Sequence, residues 1–198
     1  MDYIRAEQVR DDMIGLRPVY SEIGNSTEVI LDSGEVFLDK RGLNSVTKAL
    51  ARCYALDLKA QRQNIVQMGL GRRGILPFYI GNDRVFIALK MRNGVTGKDS
   101  VYGYIDVSYM GEPEEDDDKN CRVTLSNGVE IQVFSRRMSV ISSLHMGKKL
   151  LGLLGHGKTE LYTEGALVSS GRVIENFMYR VTRQLNNIES LLNKGIDQ

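Results

Sequence analysis

The sequence predicts an α+β fold, a mostly antiparallel β-sheet core with two or three packed helices and a long C-terminal helix. Three observations carry this prediction. Short apolar–polar alternations recur between residues 13 and 133, separated by glycine, asparagine and aspartate turns. Two stretches, 43–54 and 138–154, space their apolar residues at helical intervals instead. The last stretch, 171–195, repeats its apolar residues every seven positions.

Taken in order, "MIGLRPVY", "TEVILDSG" and "EVFLDK" read as short strands, with Asp32-Ser33-Gly34 as a turn. "LNSVTKALARCY" places Leu43, Val46, Leu50, Cys53 and Tyr54 at helical spacing, with Asn44 or Ser45 available as the cap. A basic, glycine-rich passage, "LKAQRQNIVQMGLGRRG", leads to strand-like "ILPFYIGNDRVFIALKMR", broken at Gly81-Asn82-Asp83. "VYGYIDVSYM" is a further strand, and "GEPEEDDDKN" an acidic loop.

"CRVTLSNGVEIQV" then reads as a hairpin. Val123 and Leu125 share one face of its first strand; Val129, Ile131 and Val133 share one face of the second. Asn127-Gly128 predicts a type I′ turn, because that pair tolerates positive φ at both central positions. In "MSVISSLHMGKKLLGLL", Val140, Ile141, Leu144, Leu151 and Leu154 form one helical stripe, capped by Ser139 and ended by Gly152, Gly155 and Gly157. Ile174, Val181 and Ile188, with Met178, Leu185 and Leu192, form the seam of the C-terminal helix. The expected organisation is a domain over 1–154, a connector over 155–170 and a helix over 171–195.

Composition bounds the function. At 198 residues and 42% hydrophobic content the chain can build one real core. No run of 18 apolar residues occurs, which excludes a membrane-spanning helix. "MDYIRAEQVRDDMIG" lacks the apolar stretch of a secretory leader, and Cys53 and Cys121 read as reduced core thiols, so a cytoplasmic location is expected. The net charge of +1 conceals an uneven distribution. Residues 51–110 carry nine basic and four acidic groups, 111–120 carry one and six, and 121–198 carry ten and six. A basic face on a nearly neutral protein is the expectation.

Two phosphate-loop motifs match in letter. "GLGRRG" fits G-x-G-x-x-G at Gly69, Gly71 and Gly74, but Ile75-Leu76-Pro77-Phe78-Tyr79-Ile80 follows where a dinucleotide fold needs a helix. "GLLGHGKT" satisfies G-x-x-x-x-G-K-[ST] with Gly152, Gly157, Lys158 and Thr159, yet it follows an amphipathic helix rather than a strand. A P-loop nucleotide-binding protein using Gly152–Thr159 is therefore the alternative reading. His145 and His156 stand at no ligand spacing; His145, beside the apolar stripe, reads as structural. The six carboxylates of 112–118 lack the spacing of a Ca²⁺ loop, and no nucleophile stands with a base. Neither an enzyme, a cofactor nor a bound metal is expected.

The order of the pieces carries more than any one motif. "ARCYALDLKAQRQNIVQMGLGRRGILPFYIGNDRVFIAL" resembles the central stretch of the ComK family of competence transcription factors of Gram-positive bacteria, with Cys53 and Pro77 at matching separation. "VYGYIDVSYM" looks like the family's next strand, "VTLSNGVEIQV" is similar to its Val-Thr-Phe-Ser-Asn-Gly hairpin, and "MSVISSLHMGKKLL" stands in place of its following helix. The similarity spans roughly residues 10–151; Ala88-Leu89-Lys90 replaces the family's aromatic–proline strand end. The hairpin and helix are also similar to LytTR-type DNA-binding domains. The resemblance implies an activator of competence-type genes that binds A·T-rich promoter boxes in double-stranded DNA, with RNA polymerase as a further partner.

Such binding requires cations for phosphates and long donors for a groove. Charge and position nominate Lys59, Arg62, Arg72, Arg73, Lys90, Arg92, Arg136, Arg137, Lys148 and Lys149. Arg72 and Arg73 stand between glycines, a loop suited to a narrow A·T minor groove. Arg136 and Arg137 leave the hairpin just ahead of a helix, where the hairpin would act as a rigid mount for them. Homo-oligomerisation through the C-terminal helix is expected, with a non-DNA-binding oligomeric module as a third reading.

Overall fold

A computed structural model describes residues 3–70, 75–97 and 99–156. Strands β1 (Met13–Ser21), β2 (Gly24–Leu31) and β3 (Val36–Asp39) form an antiparallel meander. Strands β4 (Phe78–Ile80), β5 (Arg84–Lys90) and β6 (Tyr102–Asp106) form a second, and β6 joins β1 through Gly15–Ile105 and Leu16–Tyr104. The resulting six-stranded sheet has the order β3-β2-β1-β6-β5-β4. The chain has the α+β fold, with antiparallel sheets, that its periodicities predict.

Alternation divides this sheet's side chains between two cores. Leu16, Val29 and Phe86 face α1 (Leu43–Cys53), which buries Leu43, Val46 and Leu50 against them. Ile14, Ile30, Ile87 and Ile105 face the opposite layer, made of α3 (Arg137–His156) and a three-stranded sheet. That sheet comprises β7 (Met110–Glu115), β8 (Cys121–Leu125) and β9 (Glu130–Val133). Each fully buried aliphatic side chain contributes about 1.5–3 kcal/mol, so these two cores, and not surface pairs, hold the layers together. Close contact of α3 with the sheet depends on Gly147, where an added Cβ would lie 2.5 Å from Ile87 Cγ2 and from Val107 Cγ1.

Helix α1 begins at Gly42, which offers no side-chain cap, rather than at Asn44 or Ser45. It ends in a Schellman motif: Leu56 N donates to Ala51 O at 2.8 Å and Ala55 N to Arg52 O at 3.1 Å. Ala55 occupies the left-handed position, φ 50°, where glycine is usual.

The basic passage that follows is not a plain loop. Asp57 Oδ1 accepts from Lys59 N and Ala60 N and starts α2 (Leu58–Gln67). Gln61, buried on α2, closes the open edge of β4: its Nε2 donates to Tyr79 O at 2.8 Å and its Oε1 accepts from Tyr79 N at 3.2 Å. The side-chain amide thus substitutes for a missing neighbour strand.

Half of the expected acidic loop is strand. β7 pairs with β8 from Met110 to Glu115, and Asp117 closes the turn by accepting from Lys119 N and Asn120 N. The hairpin stands where expected, but its turn differs. Gly128 has φ 85° while Asn127 is not in the left-handed region; Gly128 N donates to Leu125 O, and Leu125 N to Val129 O. This is the three-residue loop, a type I turn followed by a left-handed glycine, and not type I′. Asn127 is held out of I′ geometry by its own contacts: Nδ2 donates to Leu31 O at 2.7 Å and Oδ1 accepts from Val129 N.

Helix α3 starts after Arg136, whose carbonyl accepts from Ser139 N and Val140 N, so Ser139 lies in the first turn and is not the cap. The helix runs on through Gly152 and Gly155. His145 is exposed rather than packed in the stripe, and Cys53 is exposed while Cys121 is buried; both thiols are free. No helix among the described residues is long and apolar enough to cross a membrane. The connector and C-terminal helix expected over 155–195 lie outside the described residues beyond His156.

Candidate nucleic-acid interface

Four segments meet at one end of the six-stranded sheet: the β1–β2 turn, the β5–β6 connection, the first turn of α1 and the entry to α3. Lys90 and Tyr102 are directly opposed on β5 and β6, the last paired residues at this end. They share the face of Phe86 and Tyr104, by the two-residue period of the strands. Phe134 N, just past β9, donates to Lys90 O at 2.7 Å, which brings the α3 entry and exposed Arg136 to the same end. On the other side, Asn25 lies against the start of α1: a Cβ added to Gly42 would be 3.8 Å from Asn25 O.

The β5–β6 connection is tied down by Asp99. Its Oδ2 accepts from Tyr20 Oη at 2.5 Å, from Val95 N at 2.9 Å and from Thr96 N at 2.7 Å; its Oδ1 accepts from Asn25 Nδ2 at 3.1 Å. The Tyr20 hydroxyl, followed by the Thr96 amide, holds this carboxyl far below the usual carboxylate range. Asp99 is therefore ionised and engaged by donors throughout the working pH range.

Arg92, nominated as a DNA contact, is engaged inside the protein. Its guanidinium lies 4.1 Å from the Tyr20 ring centroid, Nε donates to Ser100 O and Nη2 to Asn25 Oδ1, both at 2.7 Å. At 8% exposure it is a cation built into the floor of this end, with Nη1 making no hydrogen bond among the described residues. Cation–π stacking supports Tyr20 from beneath while the ring remains 46% exposed.

The other nominated cations fall into separate groups. Lys59 and Arg62 are exposed on α2, and Arg62 lies close enough to Tyr104 for its charge to oppose the rise that burial imposes on that phenol. Arg137 is turned inward: its Nε donates to Pro113 O at 2.8 Å, along a groove of about 690 Å³ that Glu112, Glu114 and Glu115 help line. That groove is the wrong charge for a polyanion, so only Arg136 of the pair is presented outward. Lys148 and Lys149 are exposed on α3, which covers the opposite face of the main sheet. Lys148 stands eleven positions after Arg137 in the helix, about 16 Å along the axis. Arg72 and Arg73 lie outside the described residues. The eight nominated cations among the described residues thus do not form one continuous face; Lys90 and Arg136 are at the loop end, and the α3 lysines are remote.

Ion pairing separates these cations from the rest. Arg10, Arg17, Arg41, Arg84 and Arg122 are each matched to carboxylates. Lys59, Lys90, Arg136, Lys148 and Lys149 have no ion-pair partner among the described residues. Against the cations of the loop end stand Asp99 and the exposed Glu22 in the β1–β2 turn.

Residues that charge alone did not nominate complete the site: Tyr20, Asn25, Asp99, Tyr102 and Tyr104. "YGY" at 102–104 carried a signal, two aromatics on one face of a strand. The Tyr20–Asp99 bond, across 79 positions, carried none. The alternative phosphate loop loses its geometry here, since Gly152–His156 are helical where a cradle must be a loop; Gly157, Lys158 and Thr159 lie outside the described residues. In "GLGRRG", Gly69 follows helix α2 rather than a strand, and residues 75–77 form no helix. No protein-family model matches the chain, nor does any curated protein or solved structure.

Proposed function

We propose that this protein is a sequence-specific DNA-binding transcriptional regulator, an activator of competence-type genes that recognises A·T-rich promoter boxes. The observation that carries the reading is the loop end of the main sheet, where Lys90, directly opposite Tyr102, and Arg136 have no ion-pair partner among the described residues. Unpaired cations neutralise phosphates, and tyrosines beside them supply flat apolar surface with a polar tip. Five other arginines are spent on internal ion pairs, which makes the unpaired set a distinct population. The ordered resemblance to the ComK family supplies the biological setting: bacterial cytoplasm, promoter DNA and RNA polymerase as a further partner. Self-association through residues 171–195 belongs to the same proposal.

Catalysis has no place in this reading. The test is a gel shift of the full chain on A·T-rich and G·C-rich duplexes, with and without ATP. Preferential shift of the A·T-rich duplex, indifferent to nucleotide, supports the proposal. Equal affinity for both duplexes removes the sequence preference, and no shift of either removes the DNA.

A further inference from the structure

Tyr102, the first residue of β6, carries its side chain without a partner. Among the described residues its ring meets no other ring and no cation, its hydroxyl makes no hydrogen bond, and the residue is 37% exposed. Two positions on, about 6.7 Å along the strand, Tyr104 stands on the same face. Phe78 holds that ring edge-on, with 4.9 Å between centroids. Ala88 lies directly opposite Tyr104 and Lys90 directly opposite Tyr102. Alanine is too short to rise between the rings, so the surface stays open. Tyr20 joins the row through Arg92, whose guanidinium lies 4.1 Å from its ring centroid while Nε donates to Ser100 O, two residues before Tyr102.

The charge beside these rings is positive. Directly opposed residues of an antiparallel pair stand about 4.5–5.5 Å apart at Cβ, so Lys90, which has no ion-pair partner among the described residues, is an immediate neighbour of Tyr102. Arg62, exposed on α2, is close enough to Tyr104 for its charge to act on that hydroxyl. The opposing carboxylates are Asp99, on which four donors converge, and Glu22 in the β1–β2 turn. Open aromatic rings with cations between them suit unpaired nucleotides, whose base faces stack on the rings while the phosphates follow the charge. A duplex hides its base faces by pairing and stacking, so rings on a sheet face cannot reach them.

We propose that the face of β5 and β6 carrying Tyr102, Tyr104 and Lys90 is a stacking platform for the unpaired nucleotides of a single-stranded nucleic acid. This goes beyond the duplex-binding reading and does not rest on it.

The experiment follows fluorescence anisotropy as full-length protein is added to labelled oligo(dT), oligo(U) and an abasic strand of equal length, each of about 12 nucleotides, with an A·T-rich duplex alongside. The better of oligo(dT) and oligo(U) should bind at least about tenfold more tightly than the abasic strand, which keeps the phosphates and lacks the base faces. Which of the two binds more tightly names the strand as DNA or RNA. Tyr102→Ala should cut the preference over the abasic strand by about fivefold or more, and Tyr102→Phe should keep it, because a phenyl ring still stacks. Thermal melting checks the fold of both variants, and the wild-type comparison with the abasic strand tests stacking independently of either. No preference over the abasic strand, or a preference that survives Tyr102→Ala, overturns the inference. Duplex binding without single-strand binding overturns it and leaves the duplex-binding reading standing; single-strand binding without duplex binding does the reverse.

Discussion

The amide of Phe134 donates to the carbonyl oxygen of Lys90 at 2.7 Å, fixing the chain that leaves the β8–β9 hairpin against the end of β5. β4 pairs with β5 only as far as Phe86, so this edge of Lys90 would otherwise be open. The bond sets Arg136, two residues on, at the same end as Lys90. Replacing each cation tests the arrangement. Lys90→Ala and Arg136→Ala should each weaken duplex binding by about 1 kcal/mol and lower the salt slope by about one unit, with melting temperature unchanged. Fluorescence anisotropy across a salt series measures both.

Lys148 and Lys149 supply the contrast. They stand about 16 Å of helix beyond the α3 entry, on the layer facing away from α1. Screening over about 10 Å at 0.1 M salt separates them from phosphates held at the loop end. The double variant Lys148→Ala/Lys149→Ala should change affinity by less than about twofold. A loss as large as that of Lys90→Ala would move the interface to α3.

Glu22 works against a polyanion, because it is exposed on the β1–β2 turn at the loop end. Glu22→Gln removes one repulsion and should tighten binding severalfold at low salt, about 0.5–1 kcal/mol, with the gain fading as salt rises. Parallel titrations of the two proteins at low and high salt would reveal this pattern.

Folding stability should depend on acid through the clamp at the N-terminal arm. Arg41 bridges Glu7 and Asp39, and Asp39 Oδ2 also accepts from Ala6 N at 3.0 Å. The Arg41 hydrogen bond holds Glu7 below its ordinary 4.5. Burial pushes Asp39 up, but hydrogen bonds from Arg41 and from the Ala6 amide outweigh it and leave it below 3.8. Depressed carboxylates bind fewer protons folded than unfolded. Their contribution is therefore complete above about pH 5 and is lost as pH falls below 4 through the folded values. Arg41→Ala should cost about 2–4 kcal/mol at pH 7 by stranding the buried Asp39, and should flatten the acid limb. Urea unfolding at pH 7 and pH 3 reads both effects.

Two backbone positions make opposite predictions. Ala55 sits at φ 50° in the Schellman motif, so Ala55→Gly should stabilise by about 0.5–1 kcal/mol. Gly128 sits at φ 85° with nothing within 4 Å of an added Cβ, so Gly128→Ala should destabilise by about 1–2 kcal/mol through backbone strain alone. Chemical denaturation resolves shifts of this size.

Strands β1, β2 and β5 were legible as short apolar runs bounded by turn residues, buried on both faces as Val29 with Ile30 and Phe86 with Ile87 show, and β8 because Val123 and Leu125 alternate with polar residues over one buried face. Helix α2 was hidden: it buries only Gln61 and Ile65, and its docking depends on a side-chain amide meeting Tyr79, which no hydrophobic period records. β7 was hidden for a related reason. Its buried residues, Met110 and Pro113, straddle an irregularity in register that breaks the two-residue period. In the candidate site, charge nominated Lys90, Arg92, Arg136 and Arg137 alike, and the inward engagement of Arg92 and Arg137 depends on Tyr20, Asn25 and Pro113, far away in sequence. Long-range polar partners leave no local pattern.

The proposal that the cations Lys90 and Arg136, without ion-pair partners among the described residues, meet polyanionic duplex at the loop end of the sheet is tested most directly by one comparison. The binding constant of wild-type protein and of Lys90→Ala/Arg136→Ala for an A·T-rich duplex is measured from about 50 to 200 mM salt. The account predicts a steep linear fall of log K with log salt for wild type, and a slope smaller by about two units for the double variant. Equal slopes for the two proteins, with equal affinity, would contradict it.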